Sequence, residues 1–302
     1  MKPTRQPVDG VLLLNKSVGI SSNAALQKAK WLLNARKAGH TGTLDPFADG
    51  LLPLCFGEAT KFSAYLLEAD KTYRAALQLG VVTTTGDPEG EVLATRPVSA
   101  SREEFDAVLL RFSGEIEQVP PMHSALKHQG RPLYEYARAG IEIDRPPRRV
   151  SIRRLHVIEW APPQVVIEVQ CSAGTYIRTL AQDIGAALGC GAHLTALTRL
   201  ASGGFSLADA RSLAELETLP AEERPARLLP VDSLVAHLPM VGLDAASAAL
   251  LCQGRHPELE GAPAGLVRVY DNNQHFLGLA QSDSHCLVPQ RLIATHPATP
   301  HT

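Results

Sequence analysis

Residues 39–52, GHTGTLDPFADGLL, hold two acids four residues apart, Asp45 and Asp49, in a stretch broken by Gly39, Gly42, Pro46 and Gly50. Such a segment packs poorly as a core, and its glycines and proline interrupt regular structure, so it reads as a loop. An aspartate in such a loop is ordinarily an Asx-turn or a helix cap. The glycines also let a backbone approach a ligand closely, and His40, Thr41 and Thr43 add hydrogen-bonding groups. What surrounds the loop has to separate the structural reading from the chemical one.

Working outward, GVLLLNK (10–16) reads as a buried strand. The segment 21–37 reads as a helix capped by Ser21 or Ser22, with Ala25, Leu26, Ala29, Leu32 and Leu33 on one face. Beyond the loop, GEATKFSAYLLEA (57–69) is a second helical pattern. KTYRAALQLGVV (71–82) alternates as a strand, and TTTGDPEGEV (83–92) is a turn. Ser101 with Glu104, and Ser212 with Glu215, form capping boxes. RRVSIRRLHVIEW (148–160) and QVVIEVQCS (164–172) are strand-like, 174–189 is helical, and 192–205 is a further strand and turn. Segment 217–230, rich in Pro, Glu and Arg, reads as a linker or exposed loop. From about residue 238 the texture changes to a short helix (244–254) and short strands, which suits a small β-barrel of roughly 60 residues. The end of the chain, ATHPATPHT (294–302), reads as disordered. Strands and helices mix without strict βαβ alternation, so an α+β fold is expected.

Composition narrows the function classes. The chain has 302 residues, 45% of them hydrophobic, enough for a sizeable core. With 29 basic and 31 acidic side chains, net charge neither demands nor excludes a nucleic-acid partner. Distribution matters more: segment 145–154, RPPRRVSIRR, has five arginines and no acid. That is either a solvated strand edge or a phosphate-contacting patch. Five cysteines, with no C-x-x-C pair, argue against a disulfide framework or zinc site and for a reducing compartment. Neither a signal peptide nor a run of transmembrane length is seen, so a cytoplasmic location is expected. No triad spacing or phosphate-cradling lysine motif occurs, which weakens hydrolase and nucleotide-hydrolase readings.

Taken alone, Tyr73 in its strand reads as a core aromatic and Arg178 at its helix start as a surface arginine. A buried arginine needs a carboxylate partner, however, and a lone working aspartate needs a group that holds it ionised. At these residues the sequence resembles the TruB family of tRNA pseudouridine synthases. GHTGTLDPFADGLL resembles its G-x-L-D-P motif, and GVLLLNKSVGISS its N-terminal K-P-x-G-x-[ST]-S element. KTYRAALQLGVVTTTGDPEG, the thumb-like VPPMHSALKHQGRPLYEYARAG (119–140), CSAGTYIRTLAQDIG (171–185) and GAHLTALTRLASGGF (191–205) follow in family order, over residues 10 to 207.

The resemblance implies a pseudouridine synthase fold with a central mixed, mainly antiparallel sheet. Residues 8–236 would form the catalytic domain, with a thumb insertion at about 120–150, and 237–295 a PUA-like RNA-binding barrel. It implies isomerisation of uridine 55 in the TΨC arm of tRNA, without cofactor or metal, by a monomer that requires no protein partner. Asp45 would be the catalytic aspartate. Tyr73 would stack under the target uracil and assist proton removal at C5, and a bidentate Arg178 would pair with Asp45. His40 would contact the RNA loop, Lys16 and Leu197 would shape the pocket, and Lys127, Arg148 and Arg149 would contact RNA. Ser17, His123 and Asp49 depart from the family pattern. Asp49, before GLLPL, is expected to cap or to make a loop hydrogen bond. The alternatives are a non-catalytic tRNA-binding module, from which loss of Asp45, Tyr73 or Arg178 is expected, and a guide-RNA-dependent relative.

Overall fold

A computed structural model describes residues 4–294, so the expectation for the chain end beyond Ala294 lies outside the described residues. In chain order the body opens with β1 (Gly10–Lys16), α1 (Ser22–Leu32), β2 (Ala38–His40), β3 (Asp49–Phe56) and α2 (Ser63–Leu67). There follow β4 (Lys71–Leu79), β5 (Val81–Thr83), β6 (Val92–Thr95), α3 (Arg102–Arg111) and β7 (Gly114–Gln118). An excursion then carries β8 (Lys127–His128), β9 (Arg131–Pro132) and α4 (Leu133–Arg138). The chain returns through β10 (Arg148–Ala161), β11 (Gln164–Cys171), α5 (Ile177–Ala187) and β12 (Ala192–Ser202). It continues with β13 (Phe205–Ser206), β14 (Arg211–Ser212) and α6 (Leu213–Thr218). The last part holds β15 (Met240–Gly242), α7 (Ala245–Cys252), β16 (Gly265–Tyr270), β17 (Phe276–Ser282) and β18 (Leu287–Leu292).

One sheet organises the body, with strand order β14-β1-β3-β12-β4-β11-β10-β7, β2 beside β3 and β13 beside β12. Only β1 with β14 and β3 with β12 run parallel, so the sheet is mixed and mainly antiparallel, as expected. The helices form because their sequences carry both stripe and cap. Ser21 accepts from the Ala24 N–H at the start of α1, whose Ala25, Leu26, Ala29 and Leu32 are buried. Both capping boxes are closed, on α3 and α6. α5 has the strongest one-sided apolar stripe, and Ile177, Leu180, Ala181 and Ile184 pack into the main core beside Leu77, Ile167 and Leu194.

Four local expectations differ from the structure. GLLPLCF is a buried strand and not the end of a loop: every residue of β3 after Asp49 is buried. A run buried on both faces lacks the alternation that marks a half-buried strand. Segment 57–69 is a 3₁₀ turn, Gly57–Lys61, followed by short α2, and Gly57 enters it at a positive φ, where a Cβ would collide with Asp9. Segment 217–230 is tied to the body: Arg224 donates to the carbonyls of Leu216, Leu219 and Leu32, and Leu229 bridges to Val11. The terminal strands pair as an open sheet, β15-β16-β17-β18, and not as a closed barrel, with α7 lying against β18. This sheet has its own core, including Leu251, Val267, Val269 and Leu287. Phe62 packs on Phe276 at 5.5 Å, and Lys61 donates to the Leu292 carbonyl, joining it to the body.

Candidate active site

The middle of the sheet gathers residues far apart in sequence. β12 lies between β3 and β4, in a register that aligns Arg199 with Gly50 on one side and Tyr73 on the other. Gly50 is required there. Its φ is +97°, and a Cβ would stand 2.4 Å from the Arg199 carbonyl oxygen. That glycine therefore serves strand packing, whereas at Gly42, where φ is +123°, a Cβ would meet Arg199 Nη1 at an ordinary contact distance of 3.5 Å. The loop 41–48 leaves β2 above this junction, and α5 begins beside it. Together they wall a cleft of about 580 Å³, within the usual range for a small-molecule-sized site.

Asp45, Tyr73, Arg178, His40, Leu197 and Arg148 all line the cleft. Arg178 is nearly buried, its side chain 5% exposed, and its Nε lies 3.0 Å from Asp45 Oδ2. The fork is not spent on Asp45 alone. Nη1 donates to Asp87 Oδ2 at 3.1 Å and to the Thr85 carbonyl at 3.3 Å, while Nη2 donates to the His123 carbonyl at 2.6 Å. The expected bidentate pair with Asp45 is replaced by one arginine shared between two carboxylates, because Asp87 is the more deeply buried and takes the outer nitrogen. Asp87 also accepts from Thr85 Oγ1 and the Glu89 N–H.

The charges follow from burial and neighbours. Burial pushes the Asp45 carboxyl above its ordinary range; Arg178 opposes this, Asp87 adds to it, and Lys16 and His123 oppose it further. Burial likewise raises the Tyr73 phenol, against a lowering influence from Arg199, so Tyr73 keeps its proton at neutral pH. His40 is pushed down, first by burial and then by Arg199, and its Nδ1 is buried without a partner among the described residues. Lys16 is buried behind the cleft and not on its wall, donating to the Ser17 and Ile20 carbonyls. Burial brings its pKa down to about 8, with Asp49 and Asp45 holding it up.

The arginine-rich strand divides. Arg148 stands over the Tyr176 ring at 4.8 Å, donates to the Gly174 carbonyl and has no carboxylate partner among the described residues. Arg149 alternates away from the cleft, its side chain 83% exposed with Glu117 4.0 Å off, and Arg153 pairs with Asp70 at 3.4 Å. Lys127 is exposed on β8, off the cleft wall, although Ser124, Ala125 and Leu126 just before it contribute to that wall. Among the described residues Asp49 neither caps a helix nor makes a loop hydrogen bond. It opens β3, with Oδ1 buried and unpartnered, because the strand begins one residue before the apolar run.

Sequence reasoning missed two residues. Asp87 lay in the turn TTTGDPEG, where an acid reads as turn chemistry. Arg199 is fully buried and donates to the Leu51 and Gly42 carbonyls, under the loop that carries Asp45. Its signal was available: it is two residues from Leu197 and so on the same inward face of β12, where an arginine is costly without a task.

Family models and known proteins match the chain over nearly its whole length. Residues 30–177 match the model of the TruB family pseudouridylate synthase N-terminal domain. Residues 178–236 match the tRNA pseudouridylate synthase B C-terminal domain, and 239–293 the C-terminal part of pseudouridine synthase II TruB. A tRNA pseudouridine synthase B of Thiobacillus denitrificans is 71% identical over 98% of this chain and 99% of its own. One of Azoarcus sp. is 58% identical over 97% and 98%. A crystal structure of a Cbf5–Nop10–Gar1 complex contains a chain 28% identical, with a TM-score of 0.68, over 93% of this chain and 80% of that one. With a full-length relative at this identity and three family models in order along the described fold, the chain belongs to the TruB family of pseudouridylate synthases.

Proposed function

We propose that this protein converts uridine to pseudouridine at position 55, in the TΨC loop of tRNA, acting in the cytoplasm as a monomer without a protein partner. One observation carries the reading: a cleft-lining carboxylate, Asp45, held by a nearly buried arginine and facing a half-buried tyrosine. The relatives from Thiobacillus denitrificans and Azoarcus sp., both named tRNA pseudouridine synthase B and matched over nearly the whole chain, support tRNA as the substrate.

The reaction breaks the N1–C1′ bond, turns the base and forms a C5–C1′ bond, so nothing is added or lost and no redox or group-transfer partner is called for. The Asp45 carboxylate acts at the sugar, either as nucleophile at C1′ or as base at C2′. Arg178 opposes the effect of burial and so maintains its ionised fraction. The target base has to leave the stacked loop to enter the cleft. Tyr73 offers it a π face, and its retained proton favours stacking over service as a base at C5. Leu197 closes the apolar side, His40 and Arg148 meet the RNA at the rim, and Lys16 supplies positive charge from behind. Lys127 lies farther out, where it serves backbone contact, whereas Arg149, beside Glu117 and turned from the cleft, is left without such a role. Residues 8–236 act as the catalytic domain, the excursion between β7 and β10 as a thumb on the RNA, and 237–295 as an accessory RNA-binding domain. Asp45→Asn tests the reading: tritium release from C5-labelled uridine in tRNA is abolished while tRNA affinity stays within a few-fold. Retained turnover refutes it.

A further inference from the structure

We propose that Ser22, on the first turn of α1, is a positioning residue for the Asp45 carboxylate, acting through the backbone of Leu44. The inference rests on the reading of Asp45 as the catalytic group. Two adjacent serines open this helix, and they do different things. Ser21 is the cap, accepting from the Ala24 N–H at 3.1 Å. Ser22 is left free for tertiary use, and its hydroxyl is spent on one distant residue. Ser22 Oγ accepts from the Leu44 N–H at 2.8 Å and donates to the Leu44 carbonyl at 2.9 Å. Both residues are buried, so water cannot take over either bond.

The position of this clamp is what gives it a role. Between His40, which ends β2, and Asp49, which opens β3, the loop is tied to a strand at its first residue, where the Thr41 N–H and Oγ1 both donate to the Pro53 carbonyl, and beyond it residues 42–48 run outside any strand. It is held at a few points. Arg199 Nη2 donates to the Gly42 carbonyl at 3.3 Å, and the Gly19 N–H donates to the Pro46 carbonyl at 2.8 Å. Ser22 holds Leu44 from both sides, and Leu44 immediately precedes Asp45. The peptide linking Leu44 to Asp45 carries the very carbonyl that Ser22 grips. Without the hydroxyl, a buried donor and a buried acceptor lose their partner, and this peptide turns to find others. Such a turn moves the Asp45 carboxylate relative to Arg178 and to the cleft. A displacement near 1 Å at a reacting group is enough for a loss on the order of 10²-fold in rate.

The test compares Ser22→Ala, Ser22→Thr and Asp45→Asn by single-turnover tritium release, tRNA binding and folded fraction. Ser22→Ala is expected to slow release about 10- to 100-fold per folded molecule, with tRNA affinity within a few-fold. Ser22→Thr, which keeps the hydroxyl, is expected to recover most of that loss. The acid limb of the pH–rate profile moves to higher pH in Ser22→Ala, because Asp45 loses part of its contact with Arg178. A merely structural serine lowers the folded fraction and leaves rate per folded molecule and pH profile unchanged, and that result overturns the proposal. If Ser22→Ala does not fold, Ser22→Cys replaces it. The weaker thiol should slow release several-fold, and a wild-type rate overturns the proposal. An inactive Asp45→Asn beside a fully active Ser22→Ala rejects Ser22 alone, whereas an active Asp45→Asn rejects the reading beneath it.

Discussion

Replacing Arg178 with lysine keeps the positive charge and removes the fork, which separates the two ways this arginine can matter. In the native site Nε lies 3.0 Å from Asp45 and Nη1 3.1 Å from Asp87. A single ammonium on a lysine stem reaches one carboxylate and not both. Burial decides which. The Asp87 side chain is 4% exposed and the Asp45 side chain 34%, so an unpaired charge costs more at Asp87. The ammonium therefore goes to Asp87, and Asp45 loses its partner. A hydrogen bond to a charged group contributes roughly 1.5–3 kcal/mol. If that contact is realised in the transition state, its loss slows the chemical step by about 10- to 150-fold. A pH signature accompanies the loss. Burial raises the Asp45 pKa and Arg178 lowers it, so withdrawing Arg178 raises it further, and the acid limb moves to higher pH. Activity is lost first at low pH and partly recovered as pH rises. The assay is single-turnover tritium release from C5-labelled uridine in tRNA over a pH series, with the folded fraction checked by thermal melting. A folded Arg178→Lys enzyme with wild-type rate and an unmoved acid limb refutes the argument, because charge alone would then suffice.

The two remaining predictions concern residues whose sequence neighbours mislead. Asp49→Asn retains tritium release within a few-fold, since Asp49 opens a strand and has no partner in the cleft; a loss matching that of Asp45→Asn shows that the wrong acid has been assigned. Arg148→Ala weakens tRNA binding and lowers the log–log salt slope by about one, while Arg149→Ala, beside Glu117 and turned from the cleft, leaves the slope unchanged. Equal slope changes for the two variants remove the distinction between the faces of β10.

Elements that carry their own signals were legible in the sequence. Ser21 and the Ala25, Leu26, Ala29, Leu32 stripe announce α1, and both capping boxes lie where Ser-x-x-Glu placed them. Strand β3 was hidden because its residues after Asp49 are buried on both faces, which leaves no alternation to detect, and because Gly50 reads as a breaker. Gly50 is there for the opposite reason, letting β12 approach so closely that a side chain would collide with Arg199. The open terminal sheet and the anchoring of segment 217–230 depend on contacts across long sequence distances, such as Arg224 to Leu32, that no local pattern encodes.

The site divides along the same line. Asp45 and Asp49 are the same residue type, four positions apart, and no local window distinguishes them. They differ in what other segments bring. Asp45 meets Arg178 from the start of α5, and through it Asp87 from the turn after β5 and the His123 carbonyl from the thumb excursion. Asp49 meets Lys16 only as a nearby charge, since the Lys16 ammonium is already bound to the Ser17 and Ile20 carbonyls. The charge state of Asp45 is therefore a property of a junction built from four separate stretches of chain. A shared arginine also makes that charge sensitive to each stretch in turn: a shift of the His123 carbonyl would change the seat of Arg178, and with it the hold on Asp45. Motif order identifies which residues arrive at the junction, but only the fold shows that one guanidinium serves all of them.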